Sequence, residues 1–318
     1  MLTIRTETPA DYSAIAALHY ETFLANNPDN PFVVEPLMVD LLRHNEGFDP
    51  ELSIVAELDG QVVGHTLFSP FGFIVLGETL PGVMVAPVAV HPAHQGQKIG
   101  AAIMAEGHKR ATAKGYALSL LCGHSDYYPR FGYLTAVYAL GGSRLTVETP
   151  ACDAATWAER PLQAADLDWI NAGWSRLHAN DGLALNPGTG LSQWMGHGPG
   201  VQTRVLTENG EPVAYVRYTS EGQALRIREL VLAKGELAAP LAFLSQRLQA
   251  TKLHLPFPAS TLTLDWAAQV EDVQTGHPPF MVKPLTEDGP INRYCEQVLA
   301  GALKPSIITF PALFDIEG

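Results

Sequence analysis

Short apolar runs broken by polar turns mark out the first 140 residues of this chain. Ile4-Arg5-Thr6-Glu7-Thr8-Pro9-Ala10-Asp11 reads as a brief strand and then a helix start. Thr8 suits the N-cap and Pro9 the first helical position. Asp11 suits the third, where a carboxylate meets the positive end of the helix dipole. Ile15, Leu18 and Phe23 supply that helix's apolar face. Glu57-Leu58-Asp59-Gly60-Gln61-Val62-Val63-Gly64-His65 reads as strand, turn, strand, with Asp59-Gly60 as the hairpin signal. A further apolar strand ends at Val88-Ala89-Val90. A short loop containing Gly96 follows. A helix then runs from Ile99 to Lys114, with Ile99, Ile103 and Ala111 on one side and Gly115 placed to cap it. Tyr116 to Leu121 is a buried strand.

The same order returns in the second half. Ala165-Asp166-Leu167-Asp168-Trp169-Ile170 echoes Ala10-Asp11-Tyr12-Ser13-Ala14-Ile15, an offset of 155 residues (166 − 11). Asn209-Gly210-Glu211-Pro212-Val213-Ala214-Tyr215 echoes the Asp59-Gly60 hairpin at an offset of 150 (210 − 60). Leu225 to Leu232 reads as the strand matching the one that ends at Val90. A helix from about Leu237 to Ala250 and a strand at Thr261 to Asp265 complete the echo. A repeat of that length signals a duplicated domain rather than a solenoid. The expected division is a first domain over 1–150, a degenerate second domain over 158–285, and a tail over 286–318 that docks on a domain. Gly141-Gly142-Ser143 and Glu148-Thr149-Pro150 read as linker. Trp157, Trp169, Trp174 and Trp194 either pack a second core or line a pocket.

Composition bounds the function. The chain has 318 residues, 47% of them hydrophobic and 17% charged, which is globular and not disordered. Its net charge of −13 repels nucleic acid and anionic membrane, so neither is an expected partner. Cys122, Cys152 and Cys295 show no CxxC spacing, which points to free thiols in a cytoplasmic setting. No apolar run approaches the roughly 20 residues that span a bilayer, and no signal-peptide pattern precedes Ile4.

The loop after Val90 carries the chemistry. Unsatisfied N–H groups and the dipole at a helix start both favour an anion, so Gln95 to Ala101 reads as a main-chain phosphate cradle. GxxxxGK[ST] and GxGxxG are absent, so the ligand is not an ordinary nucleoside triphosphate. His91 and His94 flank a turn without an acidic third ligand at metal spacing, and no metal is expected. In the second half the corresponding loop, Ala233 to Pro240, has one glycine. It aims Glu236 at any phosphate and spends a helix-start position on Pro240, which has no N–H.

Gln95, Lys98 and Gly100 fall on the defined positions of Q/R-x-x-G-x-G/A, and the segment resembles the coenzyme A pyrophosphate loop of the GNAT superfamily of N-acetyltransferases. Lys98 departs from the pattern by replacing its first glycine. Asp59 to Gly64 is similar to the family's opening of the central sheet. Asp126-Tyr127-Tyr128-Pro129-Arg130-Phe131-Gly132-Tyr133 is similar to its FYxxxGF segment beside the thioester. The resemblance covers residues 1 to about 140. It implies an α/β (α+β) fold of two GNAT-like domains, each a mixed, mostly antiparallel sheet flanked by helices.

The resemblance also implies a reaction. Acetyl-CoA is the co-substrate. Its diphosphate is held by Gln95, Gly96, Gln97, Lys98, Ile99, Gly100 and Ala101, and its pantetheine arm by Val88, Ala89 and Val90. A small-molecule primary amine attacks the thioester directly. The N–H of Val88 or Ala89 stabilises the oxyanion, and the Tyr128 phenol serves the leaving sulfur, with Tyr127 its neighbouring candidate. Glu57, His65, Glu78, His124 and a water remain open as the general base. Two functions stand: an N-acetyltransferase, and a non-catalytic acyl-CoA-binding sensor or scaffold. The acceptor is not identified by the sequence.

Overall fold

The computed structural model describes residues 1–29, 32–147, 155–262, 264 and 266–316. The chain opens with β1 (Leu2–Thr6), α1 (Tyr12–Asn26), α2 (Glu35–Arg43), β2 (Ser53–Leu58), β3 (Gln61–Val75), β4 (Glu78–Val90), α3 (Ile99–Ala113) and β5 (Leu118–Cys122). It continues with β6 (Tyr138–Ala139), β7 (Ser143–Val147), β8 (Trp157–Arg160), α4 (Leu167–His178), β9 (Leu183–Asn186), α5 (Leu191–Trp194), β10 (Gln202–Glu208), β11 (Glu211–Glu221) and β12 (Ala224–Leu232). The last elements are α6 (Ala238–Leu248), β13 (Lys252–Leu255), β14 (Ala267–Asp272), β15 (Phe280–Pro284), α7 (Pro290–Leu299) and β16 (Ser306–Ile307). The architecture is mixed α/β with two sheet bodies. Two compact units result: Met1–Phe73 with Thr79–Thr135 and Pro278–Glu296, and Ile74–Glu78 with Ala136–His277 and Gln297–Gly318.

In the first unit the strand order is β1-β2-β3-β4-β5-β15. The β2–β3 turn has Asp59 at φ 49° and Gly60 at φ 83°, the left-handed pair that a tight hairpin demands. Strand alternation then sorts the core. Ile54, Ala56 and Val63 pack with Ile99 and Ile103 of α3. Val55 points the other way and packs with Ile15 of α1 and Val39 of α2. His65 is the register partner of Val55, so it lies on the α1 face. Thr8 N and Oγ1 both donate to Asp11 (2.7 and 2.9 Å), and Arg5 grips the same carboxylate at 2.8 and 2.7 Å. Such a cap is worth about 1 kcal/mol.

The second unit repeats this plan with the strand order β14-β7-β13-β12-β11-β10-β8. Arg160 grips Asp166 at 2.7 and 2.6 Å, as Arg5 grips Asp11. Asn209 (φ 52°) and Gly210 (φ 85°) repeat the hairpin turn. β12 pairs in parallel with β13 over Ala224↔Lys252 to Arg226↔His254, as β4 does with β5. Trp174 and Trp194 are fully buried in this core, Trp157 stacks on Phe243, and Trp169 donates to Asp166.

Some elements lie elsewhere than the sequence predicts. The strand after α6 is Lys252–Leu255, because Gln249 caps the helix in the left-handed conformation (φ 53°) and reverses the chain at once. Thr261 instead ends a 3-10 turn, and Thr263 and Asp265 lie outside the described residues, as do Glu148 to Pro150 and Cys152. Phe280–Pro284, at the end of the stretch 158–285 expected to form the second domain, instead completes the first unit's sheet against β5. Ser306–Ile307 pairs with β6 in the second unit. Among the described residues no helix is long and apolar enough to cross a membrane.

Candidate active-site cleft

The cleft begins where β4 leaves β5. Their parallel register runs from Gly82↔Leu118 to Met84↔Leu120, and β5 ends at Cys122. The last residues of β4 therefore face open space on that side while still bonded to β3 on the other. The His91 N–H donates to Val63 O at 2.9 Å, which fixes the parity of the strand. By alternation Ala89 also presents its main chain to β3, and its carbonyl lies beside Gly64. Val88 and Val90 turn theirs to the opening. Accordingly Val90 O accepts from Gln95 Nε2 (3.1 Å) and Thr22 Oγ1 (3.4 Å), and both valines line the cleft. Ala89 is 1% exposed and does not line it.

The loop forms next. Pro92–His94 makes a 3-10 turn capped by His91 Nδ1, which accepts from Ala93 N at 3.2 Å. Gly96 (φ 76°) and Lys98 (φ 64°) are left-handed. An L-residue in that conformation costs roughly 1–2 kcal/mol, so a glycine would be the natural occupant at 98. Lys98 is the N-cap of α3, whose first intrahelical bond here is Ala102 N to Lys98 O at 3.1 Å. The N–H groups of Ile99, Gly100 and Ala101 are thus the orphan donors of a helix start, opening on the cleft. A Cβ on Gly100 would run into the Tyr127 hydroxyl, so the helix start is kept bare.

The opposite wall is the 3-10 turn Tyr128–Phe131. The Tyr128 ring lies where a Cβ on Gly123 would come within 2.6 Å of it, and meets Tyr127 and Tyr133 edge-on at 5.1 and 5.9 Å. Burial pushes its phenol up to about 12, so it is a proton donor, not a phenolate. Arg130 lies 4.5 Å over the Tyr127 ring.

The cleft encloses about 460 Å³. Among the described residues its lining includes Lys98 and Arg130 and no carboxylate, although the chain as a whole carries −13. An anionic ligand is therefore favoured here against the sign of the net charge. Of the residues singled out on sequence, Val88, Val90, Gln95, Gly96, Lys98, Ile99, Gly100, Ala101 and Tyr128 line it, and Gln97 and Ala89 do not. Among the candidate bases His124 lines it, Glu57 is held by Arg5 at 2.8 Å, and His65 is fully buried. Glu78 is exposed at the β4 start, in the second unit. Sequence reasoning missed Thr22 and Asn26, four apart near the end of α1, and Tyr127's contact with Gly100.

The second unit packs the matching strand end differently. The Ala233 N–H donates to Val213 O at 2.8 Å, the counterpart of His91 to Val63, so Leu232 corresponds to Val90. There Gly173 of α4 packs so tightly that a Cβ would lie 2.6 Å from Val231 and 2.8 Å from Leu232 O. Arg176 covers the same carbonyl at 3.4 Å.

A family model described as an acetyltransferase (GNAT) domain matches residues 3–136. The uncharacterized N-acetyltransferase YhbS of Escherichia coli is 32% identical over 137 residues, 43% of this chain and 76% of that protein. The uncharacterized N-acetyltransferase YjhQ of the same species is 35% identical over 104 residues, 32% of this chain and 56% of that protein. The chain thus spans only about half the length of this second relative. A crystal structure of a GCN5-related N-acetyltransferase from Anabaena variabilis shares the fold over 90% of this chain and 73% of that one, with a TM-score of 0.66 at 13% identity. The chain belongs to the GNAT acetyltransferase family.

Proposed function

We propose that the chain is an N-acetyltransferase that moves the acetyl group of acetyl-CoA to a primary amine of a small molecule, using the first unit's cleft. The observation that carries this is the pairing of a bare helix start at Ile99–Ala101 with a strand, β4, whose Val88 main chain faces the same opening. The diphosphate of acetyl-CoA binds the N–H groups of Gly96 to Ala101, with Lys98 and Arg130 adding charge. The pantetheine arm runs along the free edge of β4 as an added strand would.

The thioester carbonyl then meets the Val88 N–H. A neutral amine attacks its carbon. Negative charge develops on the oxygen, where one fixed donor is worth roughly 3 kcal/mol of barrier. The C–S bond breaks and Tyr128 gives its proton to the departing sulfur, and the proton lost by the amine nitrogen passes through water to restore the phenol. Val88, not Ala89, is assigned as the oxyanion donor, because Ala89 presents its main chain to β3. We also assign the second unit as a degenerate copy that does not bind coenzyme A. Gly173 and Arg176 fill its counterpart of the opening.

The test joins thiol release from acetyl-CoA over an amine panel to a thermal-shift titration with coenzyme A. Turnover on at least one amine, with stabilisation by coenzyme A, is expected. Stabilisation without turnover on any amine selects the non-catalytic acyl-CoA sensor instead.

A further inference from the structure

One cation of the first unit sits where packing alone would place an aliphatic side chain. Lys283 lies on β15, which pairs with β5 from Phe280↔Cys122 to Pro284↔Leu118. Its register partner is Ser119. Two residues along, the pair Met281↔Leu121 packs with Met104 and Ala111 of α3, so by alternation Lys283 and Ser119 point to the α3 face as well.

That face is apolar, and burial lowers the Lys283 ammonium from its usual range. Among the described residues no carboxylate faces it. Its hydrogen bond goes to a main-chain carbonyl, Phe131 O, at 2.6 Å. A half-buried ammonium without a counter-charge is costly and calls for a reason.

The carbonyl it holds supplies one. Phe131 is the last residue of the 3-10 turn Tyr128–Phe131, so its oxygen is an acceptor that the end of a helical turn leaves unpaired. The Gly132 N–H closes the turn onto Pro129 O at 2.9 Å, with Gly132 at φ 87°. A Cβ on Gly132 would lie 3.7 Å from Lys283 Cε, so the lysine stem runs against the exit of the turn. β15 then receives the chain. Leu134 N donates to Val282 O at 2.8 Å, and Val282 N donates to Leu134 O at 3.1 Å.

The same turn begins with Tyr128, whose ring lines the cleft and rests edge-on against Tyr133. Tyr133 is a fixed wall, because its hydroxyl meets Ser119 Oγ at 2.6 Å and His108 Nε2 at 3.0 Å. Burial, and after it the Lys283 charge, brings the His108 imidazole down to about 3, which puts the ammonium beside that wall. Ring packing sets how deep Tyr128 sits. The grip on Phe131 sets the angle at which a turn of four residues presents it.

We propose that Lys283 is a positioning residue for the leaving-group acid: by holding Phe131 O, its ammonium sets the turn so that the Tyr128 hydroxyl meets the thioester sulfur. This rests on the transferase reading above. Lys283 does not line the cleft, so it touches neither acetyl-CoA nor the amine and moves no proton. Its effect is geometric, and a misplacement of about 1 Å at a reacting group can cost on the order of 100-fold in rate. The reacting turn of the first unit therefore depends on a strand more than 150 residues further along the chain.

The test is a double-mutant cycle in the full chain with Lys283→Met and Tyr128→Phe. Readouts are kcat at saturating amine, coenzyme A affinity and the melting temperature. Lys283→Met should lose about tenfold in kcat and keep its coenzyme A affinity within about twofold. In the Tyr128→Phe background the same change should cost less than about twofold, because no phenol is left to place. Lys283→Arg keeps a cationic donor and should stay within about threefold of the parental kcat. Losses that multiply, or a folded Lys283→Met with the parental kcat, overturn the positioning role and leave the transferase reading standing. Wild-type inactivity on every amine overturns both. Lys283→Gln replaces the methionine variant if that one does not fold. Amide hydrogen exchange gives a check free of turnover: in either variant exchange at Gly132 should quicken by about tenfold or more while the centre of α3 stays protected. Unchanged protection at Gly132 overturns the grip on the turn.

Discussion

Lys98 combines two effects that substitution can separate. Its backbone is left-handed at φ 64°, and its ammonium lines the cleft beside the start of α3. Lys98→Met keeps the conformational cost and removes the charge. Lys98→Gly removes both. The charge, placed about 4 Å from a phosphate in water-like dielectric, is worth about 1 kcal/mol, or roughly fivefold in Kd. The backbone relief is about 1–2 kcal/mol, offset by up to about 1 kcal/mol of glycine's extra freedom in the unfolded chain. At the centre of these ranges Lys98→Gly should therefore be more stable than Lys98→Met by about 1 kcal/mol, or about 2–4 °C in the first unit's melting temperature. Both should bind coenzyme A about fivefold more weakly than the parent in 50 mM salt, and the deficit should shrink toward 500 mM. Calorimetric titration and thermal melts read both quantities. If Lys98→Met binds coenzyme A as well as the parent in low salt, the ammonium does not face the phosphates. If glycine gives no gain over methionine, the backbone at 98 is not left-handed in solution.

The other predictions are more direct. Tyr128→Phe should slow turnover at least tenfold with coenzyme A affinity unchanged; a matching loss of affinity would show that the phenol holds the cofactor instead. Gly100→Glu should abolish coenzyme A binding in a titration, since any side chain meets Tyr127 and this one also repels phosphate; retained binding would remove the cradle from the cleft. Burial alone would raise Glu7, but hydrogen bonds from His65, Arg43 and Ser53 outweigh it and bring it down to about 2. A depressed carboxylate stabilises the fold fully above its unfolded value near 4.5 and loses that contribution as pH falls toward 2. Unfolding free energies from urea titrations between pH 5.5 and 3 should therefore drop, by about 2 kcal/mol from this group, and Glu7→Gln should flatten that slope.

Local signals were legible and long-range ones were not. The Thr8-Pro9-Ala10-Asp11 cap and its echo at Asp166 could be read because capping is settled within four residues. The Asp59-Gly60 and Asn209-Gly210 turns could be read because few residues tolerate positive φ. The bare helix start was readable from Gln95 to Gly100 for the same reason. By contrast, the choice between Val88 and Ala89 depends on which neighbour the strand pairs with, a parity that only the His91–Val63 bond reveals. Lys252-Leu253-His254-Leu255 alternates as well as Thr261 to Asp265 does. Only the left-handed cap at Gln249 shows which of the two follows α6. β15 reaches the first sheet from more than 150 residues beyond β5, and no local pattern could have placed it there. His65 stood among the candidate bases on sequence, but its pairing with His19 of α1 carries no sequence signal, since it joins residues 46 apart on two elements.

The two units form an internal control, since one backbone plan is filled in two ways. The Arg–Asp cap, the hairpin turn and the short parallel pairing recur with matching geometry, so these belong to the fold. What differs is concentrated at the splayed strand and the helix beside it. In the first unit Thr22 and Val90 leave an opening, Lys98 and Arg130 make it cationic, and a histidine pair stands behind it. In the second, Gly173 lets α4 settle onto β12, Arg176 caps the corresponding carbonyl, and Trp174 with Tyr215 replaces the histidines. Both fillings leave a buried nitrogen without a partner among the described residues, His19 Nδ1 in the first unit and Trp174 Nε1 in the second, so such an orphan does not distinguish the two units, whereas the cationic lining beside the splayed strand belongs to the first.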